Sequence, residues 1–265
     1  MRHISALIAQ DTFYSNSSSV NREKGCPFYG FREQYPLTHA IAATLSAGPV
    51  TFSDGPGRAN KSLVMQTCRA DGTLLKPDRP AMAIESTWAR KAFGQRGPAG
   101  EVWSTHVTIP SCNAAGTGLT WHYVFANMLS EDYEFSASDL FVPANGTALV
   151  AWEYGAAGVM RMEPKIVLKR GQDYGDVRFW RLSPALSGGW SLIGEPDKFV
   201  GVARQRFECI SVVGPSMYYA SLSGAPGETI TLVMADPQLK LHPIQCTLSD
   251  KGTGGLRFAN GTATC

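Results

Sequence analysis

The chain has 265 residues, of which 44% are hydrophobic and only 17% are charged. This composition supplies enough apolar side chains for a sizeable core and excludes a chain that is disordered throughout. The net charge is +2 at pH 7 and no block of five or more like charges occurs, which excludes nucleic acid as an expected partner.

Apolar runs in the sequence are short. None approaches the ~18 residues that a membrane-spanning helix requires, and the stretch Ile4 to Ala9 is too short for the apolar part of a signal peptide. We therefore expect no membrane anchor and no export signal in this sequence.

The first third of the chain has the pattern of mixed α and β structure. Leu37, Ile41 and Leu45 recur at helical spacing. Pro36 suits the first turn of this helix and Gly48 ends it after about three turns.

A short strand is predicted next, at Val50 to Phe52, and it ends at Ser53-Asp54 before the loop Gly55-Pro56-Gly57. A second helix is predicted from Asn60, as the N-cap residue, to Cys68. The order helix, strand, helix is that of one repeat of an α/β barrel.

Beyond a Gly- and Pro-rich boundary at residues 94–100, the pattern is typical of β-strands. Trp121, Tyr123 and Phe125 alternate with their neighbours, and further β-prone runs separated by turn residues continue to Leu248. Several short strands with turns between them predict an all-β sandwich.

Cysteine and histidine spacings give no sign of a metal centre. The six cysteines include no C-x-x-C pair, which argues against a zinc ribbon or a thioredoxin-like centre and leaves disulfides open. The five histidines form no H-x-H or H-x-x-x-H pair, and no Walker or dinucleotide glycine pattern occurs. We therefore predict neither a metal nor a cofactor.

Four N-x-S/T triplets are candidate N-glycosylation sites, at Asn16, Asn60, Asn145 and Asn260. Such triplets mark surface loops of proteins in the secretory pathway, and they also arise by chance in a chain rich in Ser and Thr. Glycosylation and cellular location both stay open at this point. A secreted or lysosomal location is expected if the chain is part of a longer protein with a signal peptide.

Asp54 is the candidate substrate-binding residue, because a barrel strand ends at the open mouth where substrates bind. Ser53 and Arg58 flank the same loop and are candidates for binding sugar hydroxyls or a carboxylate. The alternative is a turn aspartate that binds its own loop backbone. The acidic run Glu131 to Glu134 is interpreted as a solvated turn, and Gly189 to Gly194 misses the G-x-S-x-G spacing, so no catalytic residue is assigned.

The segment His39 to Gly57, with its Ala-rich helix and its Gly-Pro-hydrophobic strand ending in Ser-Asp, resembles a known family. Together with Arg69 to Pro80 it is similar to the end of the catalytic barrel in raffinose-synthase-like proteins of the α-galactosidase clan, glycoside hydrolase family 36 in the broad sense. The match is specific over about Phe28 to Ile84. The strand-rich remainder is similar to the β-sandwich that follows such barrels.

This resemblance implies an α/β plus all-β fold, in which the final strand-helix portion of a (β/α)8 barrel precedes a C-terminal antiparallel β-sandwich. Residues 1–95 would be the barrel fragment and residues 101–265 the sandwich domain. The implied chemistry is retaining cleavage or transfer of α-galactosyl groups by two aspartates, neither of which has a counterpart in this chain.

Two functions follow from these considerations. The first is the C-terminal portion of an α-galactosidase-like enzyme, inactive alone, with an α-galactoside as its substrate and the missing barrel portion as its partner. The second is a non-catalytic carbohydrate-binding or structural β-sandwich protein, which an aromatic groove would favour. Trp88 and Trp103 are the candidates for stacking on a sugar ring, although strand tryptophans are more often core residues.

Overall fold

The computed structural model describes residues 12–17, 33–84, 92–94, 101–113, 116–140, 146–171, 173, 175–186, 188–214, 217–259 and 261–265. Within these ranges the α-helices are α1 (Pro36–Leu45) and α2 (Lys61–Val64), with a turn of 3-10 helix at Ala137–Asp139. Neither α-helix is long and apolar enough to cross a bilayer.

Strands make up most of the regular structure. In chain order they are β1 (Met82–Ala83), β2 (Glu101–Ile109), β3 (Leu119–Asn127), β4 (Tyr133–Ser136), β5 (Leu149–Glu153), β6 (Met160–Arg161), β7 (Lys165–Leu168), β8 (Arg178–Pro184), β9 (Ser191–Gly194), β10 (Phe207–Val212), β11 (Met217–Ser223), β12 (Thr229–Ala235), β13 (Leu241–Thr247), β14 (Thr253–Ala259) and β15 (Thr262–Thr264).

These strands form several antiparallel sheets. The largest has six strands in the order β1-β2-β3-β8-β5-β6, the second has the order β10-β11-β14-β15, the third has the order β13-β12-β9, and β4 pairs with β7. Side chains alternate between the two faces of β3. Trp121, Tyr123 and Phe125 belong to the main apolar cluster, whereas Val124 and Ala126 belong to a second cluster, so the large sheet is covered on both faces.

The prediction of a barrel fragment is wrong. A (β/α)8 barrel needs parallel strands that are each followed by a helix, whereas the sheets here are antiparallel and helix is scarce. Helix α1 forms as predicted, but α2 ends at Val64 rather than at Cys68, and Phe52 makes only an isolated parallel bridge to Phe13. The physical reason is that the order helix, strand, helix is a local property, which does not specify the partners of the later strands.

Side chains from both ends of the chain fill the main apolar cluster. Ile41 and Leu45 of α1 share it with Tyr123 of β3 and Phe258 of β14. The division into residues 1–95 and 101–265 falls at positions that are mostly outside the described ranges, and it stays a prediction.

Two disulfides cross-link the sheets. Cys112 pairs with Cys209, with a Cα separation of 4.9 Å, and Cys246 pairs with Cys265 at 5.2 Å. Cys68 is a buried free thiol. Disulfides of this kind are typical of proteins that fold in an oxidising compartment.

Candidate functional site

A cavity of about 690 Å³ lies where α2, the end of β5, the middle of β8 and the loop after β9 meet. Its volume falls within the ~300–1,000 Å³ of typical small-molecule pockets. The residues around it combine aromatic, aliphatic and hydrogen-bonding side chains: Ser62, Met65, Gln66, Trp152, Tyr154, Gly155, Ala156, Arg181, Pro196 and Asp197.

Two half-buried aromatic side chains contribute ring surface to the cavity. Trp152 and Tyr154 are two residues apart, which places both on one side of the chain at the end of β5. The Trp152 Nε1 donates to the carbonyl of Ala156 at 2.8 Å, and the Tyr154 hydroxyl donates to Gln66 Oε1 at 2.9 Å. Because the polar atom of each ring is bonded to the protein, both rings are held in fixed orientations.

Arg181 supports the Trp152 ring and the loop after β9 together. Pairing of β5 with β8 brings Trp152 opposite Arg181, whose Cζ lies 5.0 Å from the ring centroid. The guanidinium donates to the carbonyls of Glu195 at 3.0 Å, of Pro196 at 3.2 Å and of Lys198. Burial lowers the pKa of Arg181 to about 10, so the group stays protonated at neutral pH. Its hydrogen bonds therefore fix one wall of the cavity.

A second buried arginine holds the same loop from within the core. Arg206 Nε donates to the Glu195 carboxylate at 2.8 Å, and its two terminal nitrogens donate to the Glu228 carboxylate at 2.8 Å each. Burial raises the pKa of Glu228, but the hydrogen bonds from Arg206 outweigh burial and hold that pKa at about 2. The loop is thus fastened through its backbone by Arg181 and through a side chain by Arg206.

The segment that carries α2 is tied to the same loop. Lys198 Nζ donates to the carbonyl of Met65 at 2.7 Å, and the Phe199 amide donates to the carbonyl of Gln66 at 2.9 Å. Asp197, whose side chain is 63% exposed, lies with its carboxylate 3.2 Å from Lys198 Nζ. The cavity therefore has preformed walls and a local balance of positive and negative charge.

The residues predicted to bind substrate lie together in another loop. Asp54 Oδ2 accepts from the amide of Ser15 at 2.7 Å and from its hydroxyl at 2.6 Å. The Ser53 hydroxyl lies 2.5 Å from that of Thr12. The Asp54 carboxylate thus joins its loop to the segment that carries Ser15, 39 residues earlier in the chain. Substrate binding by Asp54, Ser53 and Arg58 stays a prediction.

The candidate glycosylation sites differ in their surroundings. Asn60 is exposed and its Oδ1 caps α2 by accepting from the Leu63 amide at 3.2 Å. Asn16 is half-buried and its Nδ2 donates to the carbonyl of Arg58 at 3.3 Å. Two further candidates lie outside the described residues: Asn145 and Asn260.

Sequence reasoning missed the aromatic pair of the cavity. Trp103 is half-buried and its ring stacks on Phe125 at 5.4 Å, which is a core role, and Trp88 lies outside the described residues. The available signal was the pair Trp152-x-Tyr154 at the end of a predicted strand, directly before the turn at Gly155.

No family model matches the chain, and no curated protein matches it in sequence. Within the described ranges, no group of three or more His, Cys, Asp or Glu side chains is arranged to hold a metal ion.

Proposed function

We propose that the chain is a non-catalytic carbohydrate-binding protein and that a sugar occupies the cavity beside Trp152. The observation that carries this proposal is the combination of two fixed aromatic rings with hydrogen-bonding side chains in one preformed cavity. A sugar has apolar C–H faces that pack on aromatic rings and hydroxyl groups that both donate and accept hydrogen bonds. The cavity offers partners for both kinds of surface.

Charge favours a neutral ligand. The guanidinium of Arg181 is already engaged by three backbone carbonyls, and the carboxylate of Asp197 lies beside Lys198. Phosphate recognition depends on charge-assisted hydrogen bonds from arginine or lysine groups that face the ligand. A neutral saccharide fits this charge distribution better than a nucleotide or a sugar phosphate.

The single carboxylate among the described cavity residues favours binding over hydrolysis. Glycoside hydrolysis uses two carboxyl groups on either side of the scissile bond. Among the described cavity residues, Asp197 is the one with a carboxylate. We expect no cleavage of 4-nitrophenyl α-galactoside by the purified chain.

The α-galactoside class comes from the family resemblance and stays a prediction. This class therefore supplies the first ligands for a binding test. Raffinose and melibiose carry an α-galactosyl group, whereas maltose is a matched disaccharide without one.

The proposed function is tested by calorimetric titration of the chain with these three sugars. We expect at least one of the three sugars to bind saturably. We expect Trp152→Ala to raise its dissociation constant at least about tenfold, which is equivalent to ~1.4 kcal/mol of binding free energy. Tyr219→Ala is the matched control, because Tyr219 is an aromatic residue that is 45% exposed on β11, in another sheet. Equal affinity of the Trp152 variant and the control variant would contradict the proposal.

A further inference from the structure

One candidate glycosylation site adjoins the cavity. The triplet Asn60-Lys61-Ser62 begins at the N-cap of α2, and its third residue, Ser62, lines the cavity. Met65 and Gln66, which follow within the next turn, line it as well. A group attached to Asn60 would therefore project from the segment that forms one wall of the cavity.

The side chain of Asn60 is suited to modification. Residues 55–62 are all exposed, so the triplet is accessible from solvent. The Oδ1 of Asn60 accepts from the Ser62 hydroxyl at 2.7 Å and from the Leu63 amide at 3.2 Å. Its Nδ2, the atom that would carry a glycan, makes no hydrogen bond to any described residue.

Asn16 is less suited by the same criteria. Asn16 is half-buried, and its Nδ2 donates a hydrogen bond to the carbonyl of Arg58 at 3.3 Å. Attaching a sugar at this nitrogen would disturb that hydrogen bond, which joins two loops. The two sites therefore differ in the availability of the reacting atom.

The disulfides provide an independent reason to expect N-glycosylation. Cys112–Cys209 and Cys246–Cys265 are bonds that form and persist in an oxidising compartment. In eukaryotic cells, the compartment that forms disulfides also contains the machinery that modifies N-x-S/T triplets. In a eukaryotic cell, a chain that acquires both disulfides is thus exposed to that machinery.

We propose that Asn60 carries an N-linked glycan and that this glycan restricts access to the Trp152 cavity. In the modification, Asn60 Nδ2 forms a bond to C1 of the first sugar of a lipid-linked oligosaccharide diphosphate. The bond between C1 and the diphosphate oxygen breaks, the lipid diphosphate leaves, and the amide nitrogen loses one proton. The cavity would then be open in the unmodified chain and screened in the glycosylated one.

This inference rests on the proposed function, so its test includes the binding of a sugar. The full chain is directed into the secretory pathway of a eukaryotic cell, and its intact mass is measured before and after treatment with peptide N-glycosidase. Asn60→Asp is the informative variant, because aspartate also caps a helix and is the residue that the enzyme leaves behind. Asn16→Asp is its matched control.

We expect the Asn60→Asp variant to lose the mass of one glycan relative to the wild type, and the Asn16→Asp variant to keep the full glycan mass. We also expect raffinose to bind the Asn60→Asp variant and the enzyme-treated chain at least about tenfold more tightly than the glycosylated chain. An unchanged glycan mass in the Asn60→Asp variant would overturn the assignment of the site.

Equal raffinose affinity with and without the glycan would overturn the screening of the cavity, while leaving the proposed function intact. If raffinose, melibiose and maltose all fail to bind the glycan-free chain, the proposed function itself fails, and screening of a sugar site fails with it. Sugar binding to the glycan-free chain separates these two cases, and the mass measurement reports modification of Asn60 independently of both.

Discussion

Arg206 and Glu195 form an ion pair inside the protein, with Nε 2.8 Å from Oε1 and side chains that are 0% and 2% exposed. The same guanidinium binds Glu228, so a single arginine joins carboxylates from two segments. The backbone of Glu195 is held in turn by Arg181, the residue that supports Trp152. The rigidity of the cavity therefore depends on this buried network.

Removal of the central cation is expected to destabilise the whole protein. In Arg206→Met, the carboxylates of Glu195 and Glu228 are left buried without their partner, which costs ~3–5 kcal/mol. The free energy of unfolding from denaturant titration measures this loss. Lys165→Met, which breaks an exposed pair with Glu134, is the control and should cost no more than ~1 kcal/mol. Similar losses in the two variants would contradict the role assigned to Arg206.

Glu228 should make the protein sensitive to strong acid. Its pKa falls from an ordinary 4.5 in the unfolded chain to about 2 in the folded one. A carboxyl group with a lowered pKa stabilises the fold above its unfolded pKa, and this contribution is lost as pH falls from 4.5 to 2. The difference in unfolding free energy between the wild type and Glu228→Gln should therefore shrink over that window. A difference that stays constant from pH 6 to pH 2 would refute this assignment.

His122 should make the stability of the protein depend on pH in a higher range than Glu228 does. This side chain of β3 is buried, and burial lowers its pKa from 6.5 to about 4. Because the unfolded chain then binds more protons between these values, stability should fall as pH drops from 6.5 to 4 and then level off. In His122→Asn, melting temperatures across this range should depend less on pH. An unchanged slope in the variant would show that another group is responsible.

Gly224 lies against the arginine network and should tolerate no side chain. A Cβ atom there would collide with Arg206 Nη1 and with the Glu228 carboxylate. Gly224→Ala should therefore lower the free energy of unfolding by ~1–3 kcal/mol, as overpacking does. Gly158→Ala is the matched control, since a Cβ at Gly158 meets no atom within 4 Å. Equal stability of the two variants, measured by thermal unfolding, would contradict this account.

Local signals predicted individual elements but not their assembly. Pro36 and the spacing of apolar residues predicted α1, and alternation predicted β3, because both patterns depend only on neighbouring residues. Helix α2 is shorter than predicted because the chain beyond it takes part in β-type pairing. Cys68 forms an antiparallel bridge to Leu74. The barrel prediction failed because sheet order is decided by long-range pairing.

The candidate site could likewise be predicted only in its local part. Trp152 and Tyr154 are visible in the sequence as a pair at a strand end, but Arg181 reaches Trp152 only through the register of β5 on β8. The loop after β9 is held as a wall by Arg181 and Arg206, which come from other parts of the chain. No spacing within the sequence specifies these contacts.

The most direct test of sugar binding at this cavity is NMR titration of the chain with raffinose, with observation of the indole N–H signals of its six tryptophans. The Trp152→Phe variant assigns the signal of Trp152. We expect that signal to shift saturably while the indole signal of Trp103, in the core, stays in place. A Trp152 signal that does not move with any of the three sugars, raffinose, melibiose and maltose, would contradict sugar binding at this cavity.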